Sequence, residues 1–180
     1  MGYWGYYVVG RGERPLVELD TLAGAAGDMT LHTSAPGGWQ VWEYPGGRGD
    51  IGNMNDLARE TGAPALFGYV MNSDCVVVEA ASPESGAWTT CLARARMAGY
   101  LEGQREGLTL EDYFLDPSDA AERAVFWAEE AGHTASVEDL AEVLTADPGP
   151  PPLSTSLERG HPQAENLLFR LLDRLGVVPL

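Results

Sequence analysis

The chain has 180 residues, 27 carboxylates, 11 arginines and no lysine, for a formal net charge of −16. So acidic a surface repels nucleic-acid phosphates, which excludes direct DNA or RNA binding, and it attracts basic partners at long range. At 44% hydrophobic residues the chain can bury a core without disulfides or metals. No apolar run approaches the roughly 20 residues of a membrane-spanning helix.

The N-terminus has neither a basic region nor an uninterrupted apolar stretch, so no secretory leader is expected. With two cysteines and no leader, the expected setting is the reducing cytoplasm, with free thiols. The absence of lysine, with Ile51 the only isoleucine, matches the bias of a GC-rich bacterial genome and is discounted as a functional signal.

Taken in chain order, Tyr3–Gly10 is aromatic and β-branched and predicts a first strand. Leu16–Leu22 reads as a weak short helix. Trp39–Tyr44 alternates large apolar with polar residues, the period of a half-buried strand. A glycine-rich loop follows at 46–52, and Asn53 or Asn55 caps a short helix that Gly62 and Pro64 end. Ala65–Met71 and Cys75–Ala81 flank Asn72-Ser73-Asp74, which is turn chemistry and predicts a tight hairpin. A second turn at 82–86 leads to a fifth strand, Ala87–Leu92. Val76-Val77-Val78 is apolar on both faces and belongs to a covered central strand.

The second half reads as helical. A helix is predicted over Ala93–Gln104, and Thr109 with Asp112 forms a capping box. Asp116-Pro117 opens the clearest helix and Gly132 ends it. Ser136 caps another, whose stripe is Val137, Leu140, Ala141 and Leu144. A proline-rich break spans 147–152. Pro162 opens a last helix whose leucines, Leu168, Leu171, Leu172 and Leu175, require it to dock back. The expected architecture is one α+β domain over 1–180: a mostly antiparallel sheet of about five strands in 1–92, with a helical part, 93–180, packed on it.

The charge is uneven. Residues 1–104 carry 12 carboxylates and six arginines, a net of −6; residues 105–180 carry 15 and five, a net of −10. No positive side chain lies between Arg123 and Arg159. Within that interval Glu129, Glu130, Glu138, Asp139 and Glu142 are the candidate partner-binding residues, because clustered carboxylates raise association rates with basic proteins.

One motif match stands out. Gly47-Arg48-Gly49-Asp50-Ile51-Gly52 fits the glycine-rich dinucleotide pattern. Asp50 would oppose a pyrophosphate, and the hairpins that follow are not parallel crossovers, so dinucleotide binding is not expected. Cys75 and Cys91 lie on adjacent strands as small hydrophobes, with Cys91 opposite Val77. His32, His133 and His161 are scattered, and no ligand spacing for a metal is present.

The reading is therefore a non-enzymatic, acidic, cytoplasmic interaction protein of immunity or inhibitor type that binds a basic protein. No catalytic residue, metal or cofactor is assigned. The alternative is a small-molecule-binding protein or enzyme with a site at the loop 46–53, using Arg48, Asp50 and Asn53. Monomer and homodimer both remain open, the latter through the first strand acting as a sheet edge.

Overall fold

The computed structural model describes residues 2–46, 51–102, 109–146 and 164–179. Its centre is a six-stranded sheet, antiparallel throughout: β1 (Gly5–Arg11), β2 (Thr30–Ala35), β3 (Trp39–Pro45), β4 (Ala65–Met71), β5 (Cys75–Ser82) and β6 (Gly86–Leu92), in the order β2-β3-β1-β4-β5-β6. The helices are α1 (Met54–Thr61), α2 (Arg94–Glu102), α3 (Pro117–Glu130), α4 (Val137–Thr145) and α5 (Ala164–Leu175). The architecture is α+β, with the strands in the N-terminal half and four of the five helices in the other.

The sheet is covered on both faces. On one, Tyr7, Val9, Val41, Val76 and Val78 meet the buried sides of α3, α4 and α5. On the other, Val8, Ala65 and Ala81 meet α1 and the segment 16–29. A strand contributes to both layers because its side chains alternate across the sheet. Trp127 of α3 is fully buried, and its indole N–H reaches the carbonyls of both Ala65 and Ala81 at 3.1 Å, tying the helix to the paired ends of β4 and β5.

Most boundaries follow local chemistry. The Asn53 side chain caps α1, and Gly62 ends it at φ 69°. Asp116 caps α3 with proline in its first turn, and Ser136 caps α4. The β4–β5 turn places Asn72 and Ser73 at φ 53° and 55°, the left-handed region that asparagine tolerates. Cys91 pairs opposite Val77, as the predicted turn requires. The leucine face of α5 docks on the sheet: Leu168, Leu171, Leu172 and Leu175 are all fully buried.

Three expectations are corrected. The first strand starts at Gly5 and lies between β3 and β4, so it is central and offers no free edge for a homodimer. A sixth strand, β2, was not anticipated: Thr30, Leu31, His32 and Ser34 are exposed, so its sequence carries no buried-face alternation. The helix expected at Leu16–Leu22 is instead two single 3₁₀ turns at 16–18 and 20–22, interrupted where Leu19 is extended (ψ 149°), with a third turn following at 26–28. The proline-rich break at 147–152 and Pro162 lie outside the described residues.

The two edges of the sheet are treated differently. At β6 the backbone amide of Leu115 donates to the Thr89 carbonyl at 3.0 Å, and the Arg123 guanidinium donates to the carbonyls of Ser85 and Ala87 at 3.1 and 3.0 Å. That edge is closed to another strand. The opposite edge is β2, bent by a register shift between Leu31 and Thr33.

Candidate functional site

The α3–α4 unit carries most of the candidate residues. Between residues 116 and 146 the sequence has eight carboxylates and one arginine. That arginine, Arg123, is turned onto the β6 edge and neutralises none of them. Glu142 alone of the eight is ion-paired among the described residues, to Arg170 of α5 at 3.5 Å, with its side chain 64% exposed.

The five predicted residues divide by role. Glu129 and Asp139 are exposed and bound by no described side chain. Glu138 is exposed, and its own backbone amide and the Ser136 hydroxyl at 3.0 Å hold its carboxyl below the usual value. Glu130 is different. Its carboxylate accepts from the Ser82 hydroxyl at 2.6 Å, from the amides of Glu84 and Ser85 at 2.9 Å each, and from the Ser85 hydroxyl. Burial works to raise its pKa, and these hydrogen bonds outweigh burial and lower it. Glu130 thus fastens the β5–β6 turn to α3.

That fastening builds a pocket of about 390 Å³ walled by Glu84, Ser85, Phe126, Glu129 and Glu130. Phe126 is 54% exposed, the most exposed large hydrophobic side chain among the described residues. An exposed aromatic ring beside carboxylates suits a cationic side chain, which gains from the ring face and from the negative charges together. Sequence reading missed Phe126 and Glu84. Adjacency gave no signal: neighbouring helical positions can both be buried, as Leu171 and Leu172 are, so which of Phe126 and Trp127 faces out is decided by the fold.

The alternative site is not assembled in the same way. Arg48 and Asp50 lie outside the described residues. The Asn53 side chain is engaged at both ends: its Oδ1 accepts from the Asp56 amide at 2.8 Å, and its Nδ2 donates to the Asp56 carboxylate at 3.1 Å. Glu79 takes the Met54 amide at 3.1 Å, so the start of α1 already holds a carboxylate where a phosphate would sit. Ile51 and Met54 pack in the layer under α1, on the face of the sheet opposite α3–α5, so the Asn53 end of the loop does not meet the helical half.

The two thiols are buried and free. Burial, reinforced by Asp74, pushes Cys75 up to about 12, and burial pushes Cys91 up to about 11. Both are protonated near neutral pH and make poor nucleophiles. Among the described residues no group of His, Cys, Asp and Glu is arranged to hold a metal ion, and no helix is long and apolar enough to cross a membrane. Comparison with family models, curated proteins and solved structures gives no match.

Proposed function

We propose that the chain is a non-enzymatic interaction protein of immunity or inhibitor type, acting in the cytoplasm, whose α3–α4 face receives a basic protein. The observation that carries this reading is the exposed Phe126 ring in a pocket shared with Glu84, Glu129 and Glu130. It sits on a segment whose only arginine is turned onto the β6 edge. Interfaces concentrate their binding energy in a few desolvated anchors, and Phe126 supplies one. The surrounding carboxylates supply steering and selectivity, and exclude acidic competitors. A partner arginine stacked on Phe126 and paired with Glu84 or Glu129 satisfies both requirements.

The test compares wild type with the double variant F126A/E129R as bait in lysate of the source cell. Both positions are exposed, and Glu130 is left in place so that the turn keeps its support. The expected result is a basic protein held by the wild type, released by salt, and missing from the variant. Retention of the same proteins by both baits, or recovery of the bait alone, overturns the reading.

A further inference from the structure

The sheet ends on two edges, and they differ in what meets them. At β6, Leu115 and Arg123 occupy the carbonyls of Thr89, Ser85 and Ala87. At β2 the backbone of Thr30–Ala35 pairs with β3 and, among the described residues, makes no hydrogen bond on its other side. Such a row of outward N–H and C=O groups is a template for another strand.

The sequence of this edge is unlike the rest of the chain. From Met29 to Trp42 there is no charged residue, in a chain of 27 carboxylates and 11 arginines; Asp28 and Glu43 bracket the gap. Sheet edges are commonly guarded by charged side chains or proline. Thr30–Ala35 has neither, and its one defence is the bulge between Leu31 and Thr33. The extra residue there, His32, turns to the α5 side, where its ring stacks on Phe169 with centroids 5.1 Å apart.

The other face of the edge is apolar. Leu31 sits opposite Trp42, in the layer with α1, and is 50% exposed. With Pro15, Gln40 and Trp42 it lines a hollow of about 350 Å³. Gln40 holds that hollow in shape: its Nε2 donates to the carbonyls of Gly12 and Arg14 at 3.1 and 2.9 Å, and its Oε1 accepts from the Leu16 amide at 3.0 Å and the Trp42 indole at 2.7 Å. The rim is therefore set before anything docks, which lowers the ordering cost of association.

Charge and symmetry select the occupant. Two chains of net charge −16 repel, so copies can meet only where their carboxylates do not oppose one another, and the charge-free edge is such a place. A basic strand, by contrast, finds no carboxylate on β2 to pair with. Antiparallel pairing of β2 with β2 sets a two-fold axis perpendicular to the sheet, so both Leu31 side chains fall on the same face. Because β6 is closed in each copy, the joined sheet has no further edge to offer, and assembly stops at two.

We infer that two copies of the chain join through β2 into one continuous antiparallel sheet, with both Leu31 side chains along the seam on the α1 side. A six-residue strand is about 20 Å long, so the contact lies at the small end of interfaces, below about 1,200 Å², and the dimer is weak. The contact is at the edge opposite the one that holds Arg123 of α3, and it stands or falls independently of the function proposed above.

The test is sedimentation of the purified full chain, with deuterium exchange of its amides. From about 0.02 mM to about 1 mM, where weak interfaces fill, the wild type should pass from monomer to dimer and no further. Raising NaCl from about 0.05 M to about 0.5 M should tighten the dimer about threefold, because salt screens the mutual repulsion. Leu31→Lys and Leu31→Asp should each weaken it at least about tenfold, one placing cations and the other anions where the leucines met. Amides within Thr30–Ala35 should gain protection as the dimer fills, while F126A/E129R leaves it unchanged. A monomer at the highest concentration and salt, a dimer indifferent to both Leu31 variants, species larger than a dimer, or a dimer that loosens with salt overturns the proposal. So does protection of the β2 amides by an added arginine-rich peptide while the chain itself stays monomeric. Should the Leu31 variants fail to fold, the concentration dependence of the wild-type β2 amides decides.

Discussion

At the scale of single residues, the same side-chain type does opposite work depending on what surrounds it. Glu129 and Glu130 are neighbours in sequence, yet one faces solvent and the other accepts four hydrogen bonds from the turn 82–85. Replacing Glu130 with Gln leaves one acceptor oxygen and points an amide donor at groups that are themselves donors. Urea denaturation near neutral pH should show a loss of about 2 kcal/mol, the range for hydrogen bonds to a charged group. Because the native pKa of Glu130 lies below its ordinary 4.5, its contribution is complete above that value and fades as pH falls through the native pKa. The gap between wild type and variant should therefore narrow as pH falls below about 4.5 and through the lower native pKa. A gap that stays constant over that range would show that ionised Glu130 is not what holds the turn. None of this was legible in the sequence, where the pair Glu129-Glu130 reads as two equal surface charges; their difference arises from contacts 45 to 48 positions away.

At the scale of elements, packing of α5 on the sheet depends on Gly68 of β4. A Cβ there would sit 2.6 and 2.8 Å from the two methyl carbons of Leu168, with Val76 at 3.1 Å behind. The constraint is space, since Gly68 is not among the glycines at positive φ. Gly68→Ala should cost about 1–3 kcal/mol through overpacking. Leu168→Ala should cost about 2–5 kcal/mol through the cavity it leaves. The double variant should lose less than the sum, because each change relieves the other; additive losses in a double-mutant cycle would refute direct contact as the cause.

Elements with their own punctuation were legible: the β4–β5 hairpin from Asn72-Ser73, α3 from Asp116-Pro117, and α5 from its leucine face. Strand β2 was hidden, because it is short, largely exposed and bulged between Leu31 and Thr33, which leaves no hydrophobic alternation to display. The helix expected at Leu16–Leu22 does not form because Leu19 is extended between two 3₁₀ turns, while Leu16 and Leu22 anchor in the layer with α1. At the candidate site the acidic residues were visible, whereas the pocket around Phe126 needed the β5–β6 turn brought against α3.

For the whole molecule, charge is the dominant quantity. The described ion pairs number five, all with partly or largely exposed side chains, and each is worth at most about 1 kcal/mol. Against them stands the self-repulsion of a net charge of −16, most concentrated in residues 105–180. Salt screens both, and the repulsion is the larger sum. Raising NaCl from about 0.02 M to about 0.5 M should lift Tm by about 3 °C. A fall in Tm would mean that the ion pairs outweigh the repulsion. The same screening should weaken attachment of a basic partner, so salt is expected to stabilise the fold while loosening its complex.

The strand order has a consequence for how the chain is made. The central strand β1 emerges first, gains β3 as a neighbour, and then waits for β4. The face it shares with β4 and β5 is closed by α5, which meets the β4–β5 turn through Ser73 and Glu165, 92 positions apart. During synthesis on the ribosome, therefore, the part of the sheet's greasy side that α3 and α4 do not cover stays unroofed until α5 leaves the exit tunnel. Stalled or shortened products that lack α5 should be the species that chaperones hold and proteases clear.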